Sequence, residues 1–225
     1  MPQTSRVAVS LLSRTIGEDA VVTRNPERSR NAILRAATEE FATCGLGGAR
    51  IDRIAARSGS NKRLIYYYFG SKETLFKIVL ERAFAGIRSA EQALHLDELD
   101  PAEAVRQLIT FTWNYYIAHP EFLTLLNSEN LHRAVHLRSL PHIREMNSPL
   151  ISLIDGVLER GRASKTFRGG VDAIQLYVSI AALSYFYLSN SATLSTVFGR
   201  DLLAPKARAE RLSHMTEVIL GYLLL

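Results

Sequence analysis

The spacing of apolar residues constrains the fold of this chain more than any other feature. Nearly every segment repeats its apolar side chains at i, i+3 and i+4, and no alternating stretch bounded by glycines stands out. That period places apolar side chains along one face of an α-helix, whereas a half-buried strand needs a period of two. Prolines, glycines and short polar residues occupy the interruptions, where helices begin and end. The sequence is therefore predicted to be all-α.

Helix-terminus signals divide the chain into helices and domains. Asn25 and Pro26 are typical of a helix start, and Gly45 is expected to end this first helix. Residues 97–100 form a polar, acidic stretch, after which Asp100 and Pro101 are typical of the capped start of another helix. The predicted domains are a flexible tail (1–24), a small helical head (25–87) and a larger helical domain (88–225). The expected helices cover 26–44, about eight residues from 51, a short segment after Asn61, 71–93, 101–119, 120–131, 142–162, 172–190 and 205–224.

Basic charge is concentrated in one segment of the chain. Residues 24–88 contain 13 Lys and Arg against 6 Asp and Glu, whereas residues 89–225 contain 12 against 14. Such a local surplus suits a polyanionic partner, and alone it fits DNA, RNA or an anionic membrane surface equally well. A membrane-surface helix needs exposed apolar residues on one side, and the basic helices have ordinary core faces. No membrane partner is therefore predicted.

The cysteine count and the N-terminus bear on the compartment. Cys44 is the only cysteine, so no intrachain disulfide can form, and its place on an apolar stripe predicts a small buried hydrophobe rather than a redox switch. The apolar stretch at 7–12 is too short for a signal-peptide core or a span. A cytoplasmic protein is expected.

Two short helices joined by a glycine turn are predicted at roughly residues 49–68. Gly59 suits a turn that needs positive φ. At about 100° per residue, Arg63 and Tyr67 point almost directly away from Ile65, which belongs to the inward face. Two short helices of which the second is outwardly basic and aromatic indicate a helix-turn-helix, the motif that places its second helix in the major groove of DNA.

The block GARIDRIAARSGSNKRLIYYYFGSKETL, residues 48–75, closely resembles the DNA-binding domain of the TetR family of bacterial repressors. The resemblance covers residues 28 to about 87, and its most specific part is the run YYYFGSKETL at 66–75. It implies a three-helix head, a connecting fourth helix and a helical domain for effector binding and dimerisation. It places the family's DNA contacts at Lys62, Arg63, Leu64, Tyr66, Tyr67, Tyr68 and Lys72.

The chemistry of these side chains supports the contacts independently. Arg63 can donate two hydrogen bonds to guanine, and Lys62 can reach a base edge or a phosphate. Tyr66 and Tyr67 offer hydroxyls to phosphates and rings to thymine methyl groups. Lys72 lies in the first turn of a helix, where the dipole disfavours a cation unless an anion such as a phosphate is near.

One position departs from the family pattern. The family usually has Thr where this chain has Ala49, and that hydroxyl caps the second helix and touches the DNA backbone. Arg50 is predicted to supply the backbone contact. The second helix is expected to lack its side-chain cap.

The resemblance places a ligand cavity among the middle helices. Bulky side chains with few rotamers suit such a lining, and core packing explains them equally well. The candidate lining residues are Trp113, Tyr116, Phe122 and Leu126.

A histidine cluster follows these helices. Glu129, His132 and His136 stand at i, i+3 and i+7, which on a continuous helix would bring three metal-capable side chains to one face. Arg133 beside them would repel a cation, and solvated or hydrogen-bonded imidazoles are the commoner arrangement. No metal site is predicted.

Two late helices are candidates for an interface between subunits. The helix at 172–190 is apolar nearly all round but too short to span a bilayer, so burial on two sides explains it. The resemblance implies that it pairs, with the helix at 205–224, against the same helices of a second subunit. A core helix buried within one chain is the alternative.

These features predict a sequence-specific transcriptional regulator. Its simplest form is a homodimeric repressor that a small-molecule effector releases from a palindromic operator. No nucleophile triad, paired carboxylates or cofactor fingerprint occurs, so neither an enzyme nor a cofactor is predicted. A TetR-type activator and a helical ligand-binding protein that does not read DNA are the alternatives.

Overall fold

The computed structural model describes residues 26–225. The expected tail (1–24) and the expected cap Asn25 lie outside these residues. Within them the chain is helical, and its single pairing of extended backbone is an isolated bridge between Phe167 and Leu224. The all-α prediction is confirmed. The helices are α1 (Pro26–Gly48), α2 (Ile51–Ser58), α3 (Lys62–Phe69), α4 (Lys72–Gln92), α5 (Pro101–Ala118), α6 (Pro120–Leu131), α7 (Ile143–Ala163), α8 (Ala173–Ser189), α9 (Ser191–Phe198) and α10 (Pro205–Leu223), with a 3-10 turn at Leu137–Ser139.

Helix α9 was not predicted from the sequence, which placed no helix between 190 and 205 and a break at 199–205. None of its side chains is buried, and its apolar repeat (Leu194, Val197 and Phe198) covers little more than one turn, which is too short for periodicity to identify a helix. Gly199 ends it in the left-handed conformation (φ 61°). The other predicted helix bounds agree with the structure to within a few residues.

The first four helices form a head with its own apolar core. Ile33, Phe41, Ile54, Ile65 and Phe76 are fully or almost fully buried in it, and the rings of Phe41 and Phe76 meet edge to face at 5.1 Å. Helix α6 packs on α1 and contributes one buried leucine to the same core. The head is therefore held against the rest of the protein by α6 as well as by the continuous helix α4.

A second core lies among α5, α7, α8 and α10. It contains Ile109, Trp113, Ile154, Ile180 and Met215, all buried. Between the two cores, Ile87 of α4 packs with aromatic side chains of α5 and α6. In the part of the chain that the structure describes, no helix combines the length and the apolar character needed to cross a membrane.

Gly45 bends the end of α1. Its backbone (φ 62°, ψ 176°) lies in a region that only glycine adopts readily, and the bend turns Leu46 into the head core. The prediction that Cys44 is buried is wrong, because the chain turns inward after it and leaves its thiol exposed. The NH2 group of Arg53 lies 3.4 Å from the Cys44 sulfur.

Substitution of Gly45 should therefore destabilise the head. We expect Gly45→Ala to lower the free energy of unfolding by about 1 to 3 kcal/mol, because alanine cannot adopt this backbone without strain. Gly47→Ala is the matched control: its φ is not positive and a Cβ there meets no atom within 4 Å. Urea unfolding of both variants measures the difference. Equal stability of the two would show that the bend at Gly45 imposes no strain on alanine.

Candidate functional site

Helix α3 presents one face to the head core and the opposite face to solvent. The Asn61 side chain caps it by accepting a hydrogen bond from the Leu64 amide at 2.8 Å. Ile65 and Phe69 are buried, and Tyr67 on the opposite face is 80% exposed. The outward face predicted from the sequence is therefore the face that the structure leaves open.

Three of the predicted contact residues share that open face. Arg63 is exposed and, among the described residues, has no hydrogen-bond or ion-pair partner; Tyr66 and Tyr67 are exposed beside it. Leu64 and Tyr68 are half-buried at its edges, and the Tyr68 ring packs against Tyr67 at 5.4 Å. A face with a free guanidinium and two phenols offers hydrogen-bond donors for base edges and phosphates.

Lys62 and Arg50 extend the basic surface around Asp52. The ammonium of Lys62 pairs with the Asp52 carboxylate, and the Arg50 guanidinium lies 3.9 Å from it. The hydrogen bond from Lys62, with the nearby charges, outweighs the small effect of burial and holds the pKa of Asp52 below its ordinary value. All three side chains are exposed, and exposed pairs of this kind are weak. The ion pair with Asp52 therefore positions the Lys62 ammonium near the start of α3, but it is weak enough for a phosphate to compete with it.

Lys72 joins the start of α4 to the link between α1 and α2. Its ammonium donates to the carbonyl oxygens of Leu46 at 2.9 Å and Ala49 at 3.2 Å. These dipoles partly compensate the cation in the first turn of α4, which the sequence predicted to be disfavoured unless an anion lies near. One of its three N–H groups remains for a phosphate.

A buried carboxylate that was not predicted from the sequence positions α2. Glu40 of α1 is 1% exposed, and its Oε1 accepts hydrogen bonds from the Arg50 amide at 3.0 Å and from Arg53 Nε at 2.6 Å. As predicted, α2 has no side-chain cap. Instead, the Glu40 carboxylate accepts a hydrogen bond from the backbone amide of Arg50, the residue that precedes α2. Its position on the buried stripe, between Ala37 and Phe41, was the available signal.

The pKa of Glu40 reflects this environment. Burial opposes its ionisation, but the hydrogen bonds from Arg53 and the Arg50 amide, and the charges of Arg53 and Arg57, are stronger together. The pKa of Glu40 is therefore below its ordinary value, and the carboxylate stays ionised at neutral pH.

The candidate cavity residues do not form a single group. Tyr116 and Phe122 stack at 5.8 Å, and Leu126 packs against the same cluster beside Ile87 of α4. Trp113 belongs to the core of the C-terminal helices, with its ring 5.6 Å from that of Tyr187. Three of the four therefore adjoin the connecting helix.

The histidine cluster has a structural explanation. Helix α6 ends at Leu131, so Glu129, His132 and His136 do not share a continuous helix. The two Glu129 oxygens accept from the His136 amide at 2.8 Å, the Leu137 amide at 3.0 Å and the His136 ring at 2.6 Å. Among the described residues no group of three metal-ligating side chains occurs. Glu129 closes the turn that follows α6.

Two charged residues are buried on α4, near the aromatic cluster. Arg88 and Glu91 are one turn apart, with NH1 of Arg88 3.0 Å from Oε2 of Glu91, and NH2 of Arg88 donates to the Tyr177 hydroxyl at 2.7 Å. Burial raises the pKa of Glu91 to about 7, against the opposing effect of the Arg88 charge. Neither residue was predicted as functional, although both stand on the same stripe of α4 as Phe84 and Ile87, which was the available signal.

Two family models match the chain. Residues 33–79 match the bacterial regulatory proteins of the tetR family, and residues 101–219 match the tetracyclin repressor-like C-terminal domain. The chain belongs to the TetR family. It is a helix-turn-helix, DNA-binding transcriptional regulator, as the sequence predicted.

Similar proteins agree with this assignment. The HTH-type transcriptional repressor NicS of Pseudomonas putida is 41% identical over 194 residues, which are 86% of this chain and 92% of NicS. The regulator RutR of Escherichia coli K12 is 28% identical, over 77% of this chain and 80% of RutR. The crystal structure of the transcriptional regulator SCO4942 from Streptomyces coelicolor has the same fold, with a TM-score of 0.65 and 21% identity over 87% of this chain and 98% of that one.

The role of Glu40 in this TetR-family head can be tested by its stability. We expect Glu40→Gln to lower the free energy of unfolding at pH 7 by about 2 kcal/mol, because Arg53 and the Arg50 amide lose a charged acceptor. Since the folded pKa of Glu40 lies below the unfolded value, its contribution is present above the unfolded pKa and is lost as the pH falls through the folded pKa. Urea unfolding from pH 7 to pH 3 should show the two proteins converging.

Glu39→Gln is the control for this experiment. Glu39 is the neighbouring, exposed carboxylate, 3.8 Å from Arg57. An exposed pair at that distance contributes little, so we expect a change of about 0.5 kcal/mol or less. An equal loss in both variants would contradict a special role for Glu40.

Proposed function

We propose that this TetR-family regulator is a homodimeric repressor that binds a palindromic operator and leaves it when a small molecule binds its C-terminal helices. The observation that carries the proposal is the open outer face of α3, with Arg63 unpaired beside two exposed tyrosines. In helix-turn-helix dimers the two recognition helices enter major grooves about 34 to 36 Å apart. The name of NicS, a repressor, supports repression rather than activation.

The proposed DNA-binding unit is residues 25–87. We assign base contacts to the open face of α3. Backbone contacts are assigned to its borders, where exposed and half-buried cations and phenols lie near the starts of α2 and α4 and along α3. The proposed set is Arg50, Lys62, Arg63, Leu64, Tyr66, Tyr67, Tyr68 and Lys72. The site would act by binding alone, in the cytoplasm, without catalysis, cofactor or metal.

The proposed dimer contact uses α8 and α10. Ile174 and Val178 of α8 are about half exposed one turn apart, and so are Val218 and Tyr222 of α10. Residues of both helices line a groove of about 700 Å³ between them. Apolar side chains in register on two neighbouring helices suit a symmetric contact with the same surface of a second copy.

The effector would act through residues 88–225. A ligand that binds the free dimer more tightly than the DNA-bound dimer must weaken DNA binding by the same factor. Tyr116, Phe122 and Leu126 adjoin α4, which continues into the head, and Trp113 lies deeper among the C-terminal helices. A ligand among these side chains is proposed to displace α4.

Selection of bound fragments from a genomic library, with this protein as bait, tests the proposal directly. Enrichment of a palindromic sequence is the expected result, and the adjacent genes would shortlist the effector. Uniform recovery of all sequences would instead favour a helical protein that no longer reads DNA.

Arg63→Ala should weaken binding to the selected DNA by about 1 to 3 kcal/mol and relax sequence preference, because a bidentate contact to a base is lost. Fluorescence anisotropy on the selected site and on a scrambled site measures both effects. Arg162→Ala is the control, since Arg162 is an exposed arginine on α7. Unchanged affinity of the Arg63 variant for the selected site would rule out base contact by this side chain.

Val178→Asp should dissociate the dimer. Two symmetry-related carboxylates would be buried without partners, and we expect the dimer dissociation constant to rise at least about a hundredfold. Leu131→Asp is the control, because Leu131 is 84% exposed at the end of α6 and belongs to neither α8 nor α10. Sedimentation velocity measures the dimer fraction of each variant. A dimer that persists in Val178→Asp but dissociates in Leu131→Asp would show that the interface lies elsewhere.

A further inference from the structure

The turn that follows α6 has a costly backbone. Arg133 and Ala134 are consecutive, are not glycine, and lie in the left-handed region with φ of 54° and 56°. Residues with a Cβ are disfavoured there, so such a pair persists only where other contacts hold it. The buried carboxylate of Glu129 supplies those contacts, because it accepts hydrogen bonds from the amides of His136 and Leu137 and from the His136 ring. Glu129 thus keeps the turn in one conformation.

The same turn packs on the head. The His136 ring meets that of Phe76 on α4 edge to face at 5.1 Å, and Leu137 packs against the head core to which Phe76 belongs. Just before the turn, the Ser128 hydroxyl accepts a hydrogen bond from the Leu46 amide at 3.3 Å. The end of α6 and its turn therefore contact the head on α4 and on the link between α1 and α2.

These contacts restrict a motion that α4 alone would allow. Two bodies joined by one helix move relative to each other unless a further interface holds them. Helix α6 provides that interface, because it also packs on α1 and places Leu125 in the head core. Attachments at several separate points prevent the head from turning about α4. Without Glu129 the costly turn would relax, and the contacts of His136 and Leu137 with the head would be lost.

We infer that Glu129 is a positioning residue for DNA binding. By holding the turn after α6 against the head, it fixes the distance and angle between the two heads of a dimer, and so determines which spacing of half-sites the protein accepts. The proposed base contacts on α3 select the sequence of each half-site, whereas Glu129 selects the interval between them. This inference rests on the proposed dimer and its palindromic operator.

A change of one base pair exceeds what the contacts tolerate. Inserting a base pair moves one half-site by about 3.4 Å along the DNA axis and turns it by about 35° about that axis. If the two heads share the change equally, each moves by about 1.7 Å and turns by about 17°. A hydrogen bond is lost by about 3.6 Å. The 3.3 Å contact between Ser128 and Leu46 would therefore break, which makes a wrong spacing costly.

Cys44 allows the distance between the heads to be measured. It is the only cysteine of the chain, and its thiol is exposed on the head near the end of α1. With a nitroxide label on this thiol, pulsed electron paramagnetic resonance records the distribution of distances between the heads of the full-length dimer without DNA. We expect a narrow distribution for the parent and one at least about twice as wide for Glu129→Ala, because the head then moves on α4.

Two further variants serve as controls. Glu129→Gln keeps a carbonyl oxygen that accepts from both amides, so the distribution should stay narrow. Glu145→Ala removes the carboxylate of an exposed pair with His142, 2.9 Å apart at the start of α7, and should have no effect. If Glu129→Ala does not fold, Ser128→Ala replaces it, with widening again expected from loss of the bond to Leu46. A distribution as narrow as that of the parent would overturn the inference.

Operator spacing tests the consequence for DNA binding. Fluorescence anisotropy compares the selected palindrome with copies that have one central base pair added or removed. The parent should bind these copies at least about thirtyfold more weakly, because each head loses a hydrogen bond and a ring contact. In Glu129→Ala this ratio should fall at least about fivefold, since the head follows the altered spacing. Equal weakening on all three DNAs, with an unchanged ratio, would show that Glu129 only stabilises the fold and would contradict the inference.

The outcomes for the two proposals are distinguishable. If no palindrome is selected, or if the labelled protein is monomeric, the proposed function fails and the role of Glu129 in spacing fails with it. If a palindrome is selected and the labelled protein is dimeric, but the distance distribution and the spacing ratio are the same in the parent and in Glu129→Ala, only the inference fails.

Discussion

The hydrogen bonds of the Glu40 carboxylate hold α2, and with it the open face of α3, in place. The buried carboxylate of Glu40 on α1 accepts hydrogen bonds from the Arg50 amide at the start of α2 and from the Arg53 guanidinium. These donors lie 10 and 13 residues further along the chain. Helix α2 has only eight residues and no side-chain cap, so it has little stability of its own. Since α3 packs on α2, the orientation of Arg63 and the tyrosines depends on that anchor.

The head and the C-terminal helices are joined by more than one connection. Leu125 of α6 is buried in the head core, and the Ser128 hydroxyl accepts a hydrogen bond from the Leu46 amide at 3.3 Å. The His136 ring, held by Glu129, packs edge to face on Phe76 of the head at 5.1 Å. Lys72 binds the same segment, 46–49, from the side of α4. Segment 46–49, between α1 and α2, is therefore in contact with both α6 and α4. A displacement of either helix would change the contacts of this segment.

Among the described residues, apolar spacing predicted the helices other than α9, and their faces, because it is a local property of the chain. Ile54 and Ile65 are buried and Tyr67 is open, as the 100° rule requires. The partners of the polar side chains were not predicted, because Lys72 meets a carbonyl 26 residues away and Arg88 meets Tyr177 across 89 residues. Such contacts depend on how helices pack, which spacing within one helix does not encode. Cys44 was misassigned for the same reason, since a bend at the next residue decides its exposure.

Helix α4 is unbroken from Lys72, which binds the carbonyls of Leu46 and Ala49, to Gln92, just beyond the buried pair of Arg88 and Glu91. At about 1.5 Å per residue, the 19 steps from Lys72 to Glu91 span about 29 Å. A rod of that length acts as a lever: a tilt of about 5° about one end moves the other by about 2.5 Å. That displacement is close to the length of a hydrogen bond. The hydrogen bonds from Lys72 to the carbonyls of Leu46 and Ala49 are therefore sensitive to changes of angle that are too small to disturb the packing around Glu91.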